Sequence, residues 1–244
     1  MDELSIITQN LSGKYNENSV KKYMQAQKAN IYAFQELKQQ RCKIAYLCIN
    51  DSLEKNEADA VRAEEIWKEA FPWLDFKSGY YQEAEVTYGG KEITIINFHS
   101  SLRYSAQMRY VLLKRISEVK DELVILLGDF NAAFKNQTEH NIPDNDRFLR
   151  WITQELGFEE LLADEEKENS PHYTFQYNKK NEHKEVIEKK KLDHIFVSKK
   201  MFKLTNEGWN FLIEYIDDVN KNFSQSTEAF TDHSGIRLTI QVGK

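Results

Sequence analysis

Six segments of this 244-residue chain bring an apolar run up to a carboxylate, an amide or an imidazole. "SIITQN" ends on Asn10, "IYAFQE" on Glu36, and "TIINFHSS" carries His99. "VILLGDFNA" runs into Asp129 and Asn131, "KKLDHIFVS" sets Asp193 and His194 at the entrance of an apolar strand, and "FTDHSGI" sets Asp232 and His233 just before the last one. Any one of these reads as a turn, because Asp and Asn after a strand commonly make turns. Six at strand boundaries of one core are chemically coherent. Glu36, with Asn10 and Asp232, supplies the oxygen-rich surroundings that Mg²⁺ takes, completed by water and a substrate phosphate. Two cysteines are too few for a zinc–thiolate site, and no HExxH spacing occurs. His99, His233, Asp129 and Asp193 remain for proton transfer and phosphate stabilisation. A neutral imidazole takes a proton from water near pH 7, and an Asp partner orients it.

The elements that must position these groups follow from hydrophobic period. Alternating or continuous apolar runs predict strands at "LSIIT", "IYAF", "YQEAEVTY", "KEITIINF", "LVILL", "YTFQY", "LDHIFVS", "WNFLIEY" and "IRLTIQV". Gly89-Gly90 supplies the turn of a hairpin between the third and fourth. Helical periods fall around Val20 to Gln27, from Leu53 to Phe71, over "AQMRYVLLKRI", and over "DRFLRWITQEL" with Gly157 as its C-terminal cap. Two sheets packed face to face with helices outside are the expected arrangement. If the strand of "VILLGDFNA" continues extended, Asp129 and Asn131 point to one side and Phe130 anchors in the core. The acidic run "EELLADEEKEN" reads as a solvated loop. The run 179–191 holds six Lys against three Glu directly before the Asp193 strand, where it reads either as a rim for a phosphate backbone or as a solvated hairpin of mixed charge.

Composition sets bounds. Hydrophobic residues make up 41% and aromatics 12%, as in a globular protein, and no Gly/Pro-rich linker divides the chain, so residues 1–244 are expected to form a single domain. A net charge of −6 argues against a blanket electrostatic grip on nucleic acid, although acids bound to a metal count in that sum. Cys42 and Cys48 offer neither a disulfide framework nor metal spacing. No apolar run reaches transmembrane length, and strand-like sequence starts within five residues of Met1, so a cytoplasmic setting without membrane insertion is expected.

At these residues the chain resembles the endonuclease/exonuclease/phosphatase, or DNase I-like, superfamily. The motifs are "TQN" (Asn10), "FQE" (Glu36), "NFHSS" (His99), "GDFNA" (Asp129, Asn131), "YTFQY…KKLDHIFVS" (Asp193) and "TDH" (Asp232, His233), in the family's order and spanning nearly the whole chain. The resemblance implies an α/β fold, a four-layer α/β/β/α sandwich of two mixed sheets flanked by helices, with the site at one end of the sheets. It implies metal-dependent phosphoester hydrolysis by in-line attack of water, with Mg²⁺, or Mn²⁺ in its place, and no organic cofactor. Glu36 would be the principal metal ligand with Asn10 nearby, and Asp232 would support the metal or the phosphate. His233 would be the general base, oriented by Asp193. Asp129 and Asn131 would bind phosphate and position water or metal, and His99 would stabilise the transition state or protonate the leaving oxygen.

From Leu37 to Tyr81 the family pattern is lost, and a charged, mostly helical stretch is expected there. Glu83 and Glu85 are candidates for an acid that pairs with His99. Arg109 is either a phosphate contact or part of a structural ion pair on its helix. Lys189, Lys190 and Lys191 are expected to contact substrate, whereas His194 is expected to pack, and His140, His172 and His183 to stand apart. The function expected is a Mg²⁺-dependent nuclease acting on DNA or RNA. The alternative is a phosphatase or phosphodiesterase acting on a small phosphorylated molecule, a nucleotide or a lipid head group.

Overall fold

The chain is most continuously apolar where its strands are buried on both faces, as parallel neighbours require. The computed structural model describes residues 3–13, 17–39, 42–76, 78–100, 102–138, 142–168, 171–181, 184–221 and 231–243. In chain order the first half runs β1 (Glu3–Asn10), α1 (Glu17–Gln27), β2 (Ile31–Gln39), β3 (Cys42–Ile49), β4 (Glu54–Lys55), α2 (Val61–Ala70), β5 (Tyr81–Tyr88) and β6 (Lys91–His99). Next come α3 (Ser105–Val119), β7 (Val124–Asp129), α4 (Pro143–Arg150), β8 (Glu159–Glu160), α5 (Asp164–Glu168), β9 (Phe175–Asn181) and β10 (Lys184–Lys190). The last elements are β11 (Asp193–Val197), α6 (Lys199–Phe202), β12 (Trp209–Ile216) and β13 (Gly235–Val242).

Two mixed sheets result, ordered β12-β13-β1-β2-β3 and β4-β5-β6-β7-β11-β8, with β9 and β10 pairing as a separate hairpin. Period-2 alternation divides each strand between two cores. Ile6, Ile95, Ile125, Leu127 and Ile195 meet between the sheets. Ile7 faces outward onto Val20 and Tyr23 of α1. Ile96, Val124 and Leu126 face the other way, onto Ile66 and Trp67 of α2 and Val111, Leu112 and Ile116 of α3. The order of layers is therefore helix, sheet, sheet, helices: the four-layer α/β/β/α sandwich expected. Among the described residues no helix is long and apolar enough to cross a membrane.

The expected helix over 53–71 is shorter. It occupies only Val61–Ala70, and the residues before it form β3 and the short edge strand β4, which continue the sheets. The helical period over 146–156 is real but broken: α4 gives way to a π-helical turn at Trp151–Glu155, closed by Gly157 at φ 72°. The basic run is a hairpin, with Val186 opposite Lys179 and Lys190 opposite Phe175.

Candidate active site

Register brings the polar strand ends together. In the parallel pair β6–β7, His99 lies beside Asp129, and in the antiparallel pair β7–β11, Asp193 lies beside Asp129 on the other flank. Three candidate residues thus occupy one row across three adjacent strands. The close approach of β6 and β7 depends on Gly128, at φ 134°, where an added Cβ would stand 2.0 Å from the Phe98 carbonyl oxygen. From the facing sheet, β1 and β2 deliver Asn10 and Glu36. A buried polar link fixes the sheets behind the site: Gln35 Nε2 donates to Asn97 Oδ1 at 2.7 Å, and Asn97 Nδ2 donates to the Phe34 carbonyl at 3.0 Å.

Two site residues sit in left-handed backbone, which Asn tolerates and Glu rarely adopts. Glu36 has φ 54° at a bulge between Phe34 and Leu37, and Asn131 has φ 45° just past β7. Such conformations persist only where the surroundings enforce them, and bulges re-aim a side chain. The Glu36 carboxylate is turned to His99, with Oε1 3.6 Å from Nε2, while Asp129 Oδ2 is 3.9 Å from the same nitrogen. The Tyr80 ring stands edge-on to His99 at 5.5 Å.

Asp129 is buried and saturated with donors. Asn10 Nδ2 reaches its Oδ2 at 2.7 Å across the sheets, and the Asn131 backbone N–H reaches its Oδ1 at 2.8 Å. Asn131 Nδ2 donates to the Ser100 carbonyl at 2.8 Å, so this amide braces the loops in addition to facing the site. His233 Nδ1 lies 2.8 Å from Asp193 Oδ2. Phe130, between the two polar residues of β7's end, is fully buried against Phe98, Phe148 and Phe196.

The charges are crowded. Burial, then the nearby Asp193, pushes the Asp129 carboxyl well above the carboxylate range. For His233, burial disfavours the imidazolium, but Asp193, Asp129 and Asp232 overcome it and push the imidazole up to about 9. Burial also works against charge on Asp232, yet a hydrogen bond from Ser12 Oγ and the nearby His233 hold its carboxyl below the usual range. Asp129, Asp193 and His233 each offer a ligating atom within 4.8 Å of the others. Asp193 Oδ1 is buried with no hydrogen-bond partner among the described residues. Crowded buried acids and an unsatisfied carboxylate oxygen are what a hard divalent cation compensates. The donor set fits a metal.

The expected grouping of Glu36, Asn10 and Asp232 is not assembled in this form. Among the described residues, Glu36 and Asp232 belong to no such cluster of three ligating side chains. The bulge turns Glu36 to the His99 side, Asn10 spends its amide on Asp129, and Asp232 is drawn to Ser12 and to Lys221 at 3.5 Å. Neither Glu83 nor Glu85 supplies the acid at His99. Glu83 is taken by Arg115 at 3.0 Å and by the Tyr81 hydroxyl, and Glu85 by Asn56 at 2.7 Å.

A cavity of about 470 Å³ opens beside His233, lined also by Asn131, Arg109, Lys190, Phe175 and Leu192. Arg109 makes no ion pair among the described residues. Its guanidinium lies over the Phe148 ring at 4.6 Å and donates to the Asn131 carbonyl and Ser100 Oγ, both at 3.3 Å. The three lysines of the basic run separate. Lys190 lines the cavity and pairs with Glu188 at 3.1 Å, and Lys189 is half-buried outside the cavity lining. Lys191 corrects the expectation of substrate contact: it is 1% exposed and paired with Glu166 at 2.9 Å and Glu160 at 3.2 Å. The acidic run is accordingly not a solvated loop, because it contributes these two buried carboxylates.

His194 packs as expected, bonded to Glu160 and the Ala132 carbonyl, and His172 bonds Asp217 at 2.9 Å and stacks on Tyr215. His140 and His183 lie outside the described residues. Sequence reasoning missed Ser12, Tyr80, Ser100 and Thr174. Thr174 falls inside the quoted "YTFQY", where its Oγ1 accepts from the backbone N–H groups of Leu192 at 3.0 Å and Asp193 at 3.1 Å. Ser100 likewise falls inside the quoted "NFHSS", whereas Ser12 and Tyr80 carry no period or motif signal.

No protein-family model and no curated protein matches the chain in sequence. Solved structures do match in shape. AP endonuclease LMAP from Leishmania major aligns with a TM-score of 0.67 at 12% identity, over 99% of this chain and 89% of that one. D. rerio TDP2 complexed with single strand DNA product gives 0.62 at 16%, over 99% and 100%. The 3'-5' exonuclease NExo from Neisseria meningitidis gives 0.65 at 15%, over 96% and 98%.

Proposed function

We propose that this chain, built on the DNase I-like fold, is a Mg²⁺-dependent phosphodiesterase, a nuclease that hydrolyses DNA or RNA by in-line attack of water. The observation that carries this reading is the Asp193–His233 pair at 2.8 Å, packed against Asp129 and opening onto a cavity that holds Arg109 and Lys190. Structures of similar shape include an AP endonuclease, an exonuclease and a protein bound to single-stranded DNA product, which favours a nucleic acid substrate. We read residues 1–244 as one domain, supported by alignments that span almost the whole chain. A cytoplasmic setting rests on cysteine usage, with Cys48 a free thiol.

Glu36 and Asp129, which both approach His99 Nε2, would be the carboxylates holding the metal, with the unsatisfied Asp193 Oδ1 on the other flank of Asp129. A divalent cation there supplies positive charge beside the phosphate oxygens and compensates the buried acids. A cation sharing these carboxylates would weaken their pull on the His233 proton, which favours the neutral form a base needs. Asp193 fixes Nδ1, leaving Nε2 for a water on the cavity side. Arg109 and Lys190 supply fixed positive charge to phosphates flanking the reacting one. His99, between Glu36 and Asp129, stabilises the charge that develops or returns a proton to the leaving oxygen.

Cleavage of supercoiled plasmid and of labelled single-stranded RNA with Mg²⁺ tests this, with EDTA and Glu36→Ala as controls. Nicking or RNA cleavage lost in both controls is expected. Intact polymers alongside metal-dependent hydrolysis of bis-p-nitrophenyl phosphate would remove the nuclease reading in favour of a small phosphoester.

A further inference from the structure

Lys191, expected to contact substrate, is instead a buried ammonium clamped between Glu166 and Glu160. Its position in the chain gives the clamp a target. Glu160 Oε1, which accepts from Lys191, also lies 2.7 Å from Nδ1 of His194, and Nε2 of His194 lies 2.9 Å from the Ala132 carbonyl beside Asn131. Asp193 is therefore bracketed by two side chains, two residues before it and one after, fastened to a single carboxylate. The backbone is held at the same junction: Lys191 N–H donates to the Gln137 carbonyl at 3.1 Å, and the Leu192 carbonyl accepts from Phe130 N–H at 2.9 Å. Glu166 is itself fixed by the Tyr215 hydroxyl and by the His172 backbone N–H at 2.9 Å.

A buried ion cluster is a poor source of net stability, because desolvation offsets its attraction, but its directional bonds fix geometry. The geometry at stake is the 2.8 Å contact between Asp193 and His233, and catalytic alignment is sensitive to displacements of about 1 Å. We propose that Lys191, clamped by Glu160 and Glu166, is a positioning residue that holds the entrance of β11 so that Asp193 meets His233. It touches no substrate, and its effect passes through Asp193. The inference rests on the reading of Asp193 and His233 as the base pair of a phosphodiesterase.

The test compares four proteins: Lys191→Met/Glu166→Gln, which removes both charges of the pair; Lys191→Arg; Asp193→Asn; and the first combined with the third. Steady-state rates with Mg²⁺ are measured on plasmid, single-stranded RNA and bis-p-nitrophenyl phosphate, with thermal unfolding recorded for each protein. The charge-removed variant is expected to unfold cooperatively, to lose roughly 10²-fold in kcat, and to keep its KM. Lys191→Arg should recover most of that loss, and in the Asp193→Asn background the charge removal should cost nothing further. A folded variant with full kcat, or a loss that multiplies with that of Asp193→Asn, overturns the inference while leaving the phosphodiesterase reading intact. A wild type inactive on all three substrates overturns that reading and the inference with it. If the charge-removed variant does not fold, Glu166→Gln, which leaves Lys191 paired with Glu160, is read by the same two criteria at smaller amplitude.

Discussion

Gly128 shows how much of the site rests on one missing side chain. An added Cβ would lie 2.0 Å from the Phe98 carbonyl oxygen, in backbone that cannot swing aside because β6 and β7 are paired there. Its φ of 134° disfavours an L side chain as well. Gly128→Ala is expected to cost about 3 kcal/mol in urea unfolding, and to disturb the row of His99, Asp129 and Asp193. An unchanged midpoint would show that the two strands are not locked at this spacing. Glu36 and Asn131 place the complementary strain, side chains held in left-handed backbone, at the two positions where a bulge and a strand end aim them.

At the scale of elements, the ionic cluster joins β8, α5 and β11. Burial alone would raise the Glu160 carboxyl, but Lys191 and His194 overcome it and hold it down at about 2. A carboxyl lowered on folding contributes stability that is fully present above its unfolded pKa of about 4.5. That contribution is lost as pH falls through the folded value. Glu160→Gln should therefore weaken the protein at pH 6, and its stability should fall less steeply than the wild type's between pH 4.5 and 2. Equilibrium denaturation across that range is the check, and parallel curves would remove Glu160 as a source of the acid dependence. The hairpin β9–β10 belongs to this scale as well. It brings Phe175 against His233, with ring centroids 5.0 Å apart, and carries Lys190 to the cavity.

For the whole molecule, two sheets that converge on one acidic end should make metal binding and folding interdependent. Mg²⁺ at about 100 times its Kd should add about 2.7 kcal/mol, and a chain of this length gains roughly 2–4 °C of Tm per kcal/mol. Differential scanning calorimetry should thus show Tm rising with Mg²⁺ in the wild type and hardly at all in Glu36→Gln. An equal rise in both would place the cation elsewhere. This readout needs no substrate, so it separates metal binding from the identity of the phosphoester.

The sequence by itself determined the long core strands other than β3, because alternation and apolar runs report directly which face of an extended chain is buried, and "YQEAEVTY" coincides with β5. It also determined which polar residues stand at strand ends, since Asn10, His99, Asp129 and Asp193 each border a run that is otherwise buried, whereas Glu36, expected to end its strand, sits at a bulge inside β2. Tertiary structure alone decided what those residues touch. Distances between Asp193 and His233, or between Lys191 and Glu166, join segments 40 and 25 residues apart, and local pattern carries no information about which partner fills a lysine's surroundings. For this reason the basic and acidic runs both looked solvated or substrate-facing in sequence. Folding placed one charge from the first and two from the second in the interior, where pairing is the only way to bury them.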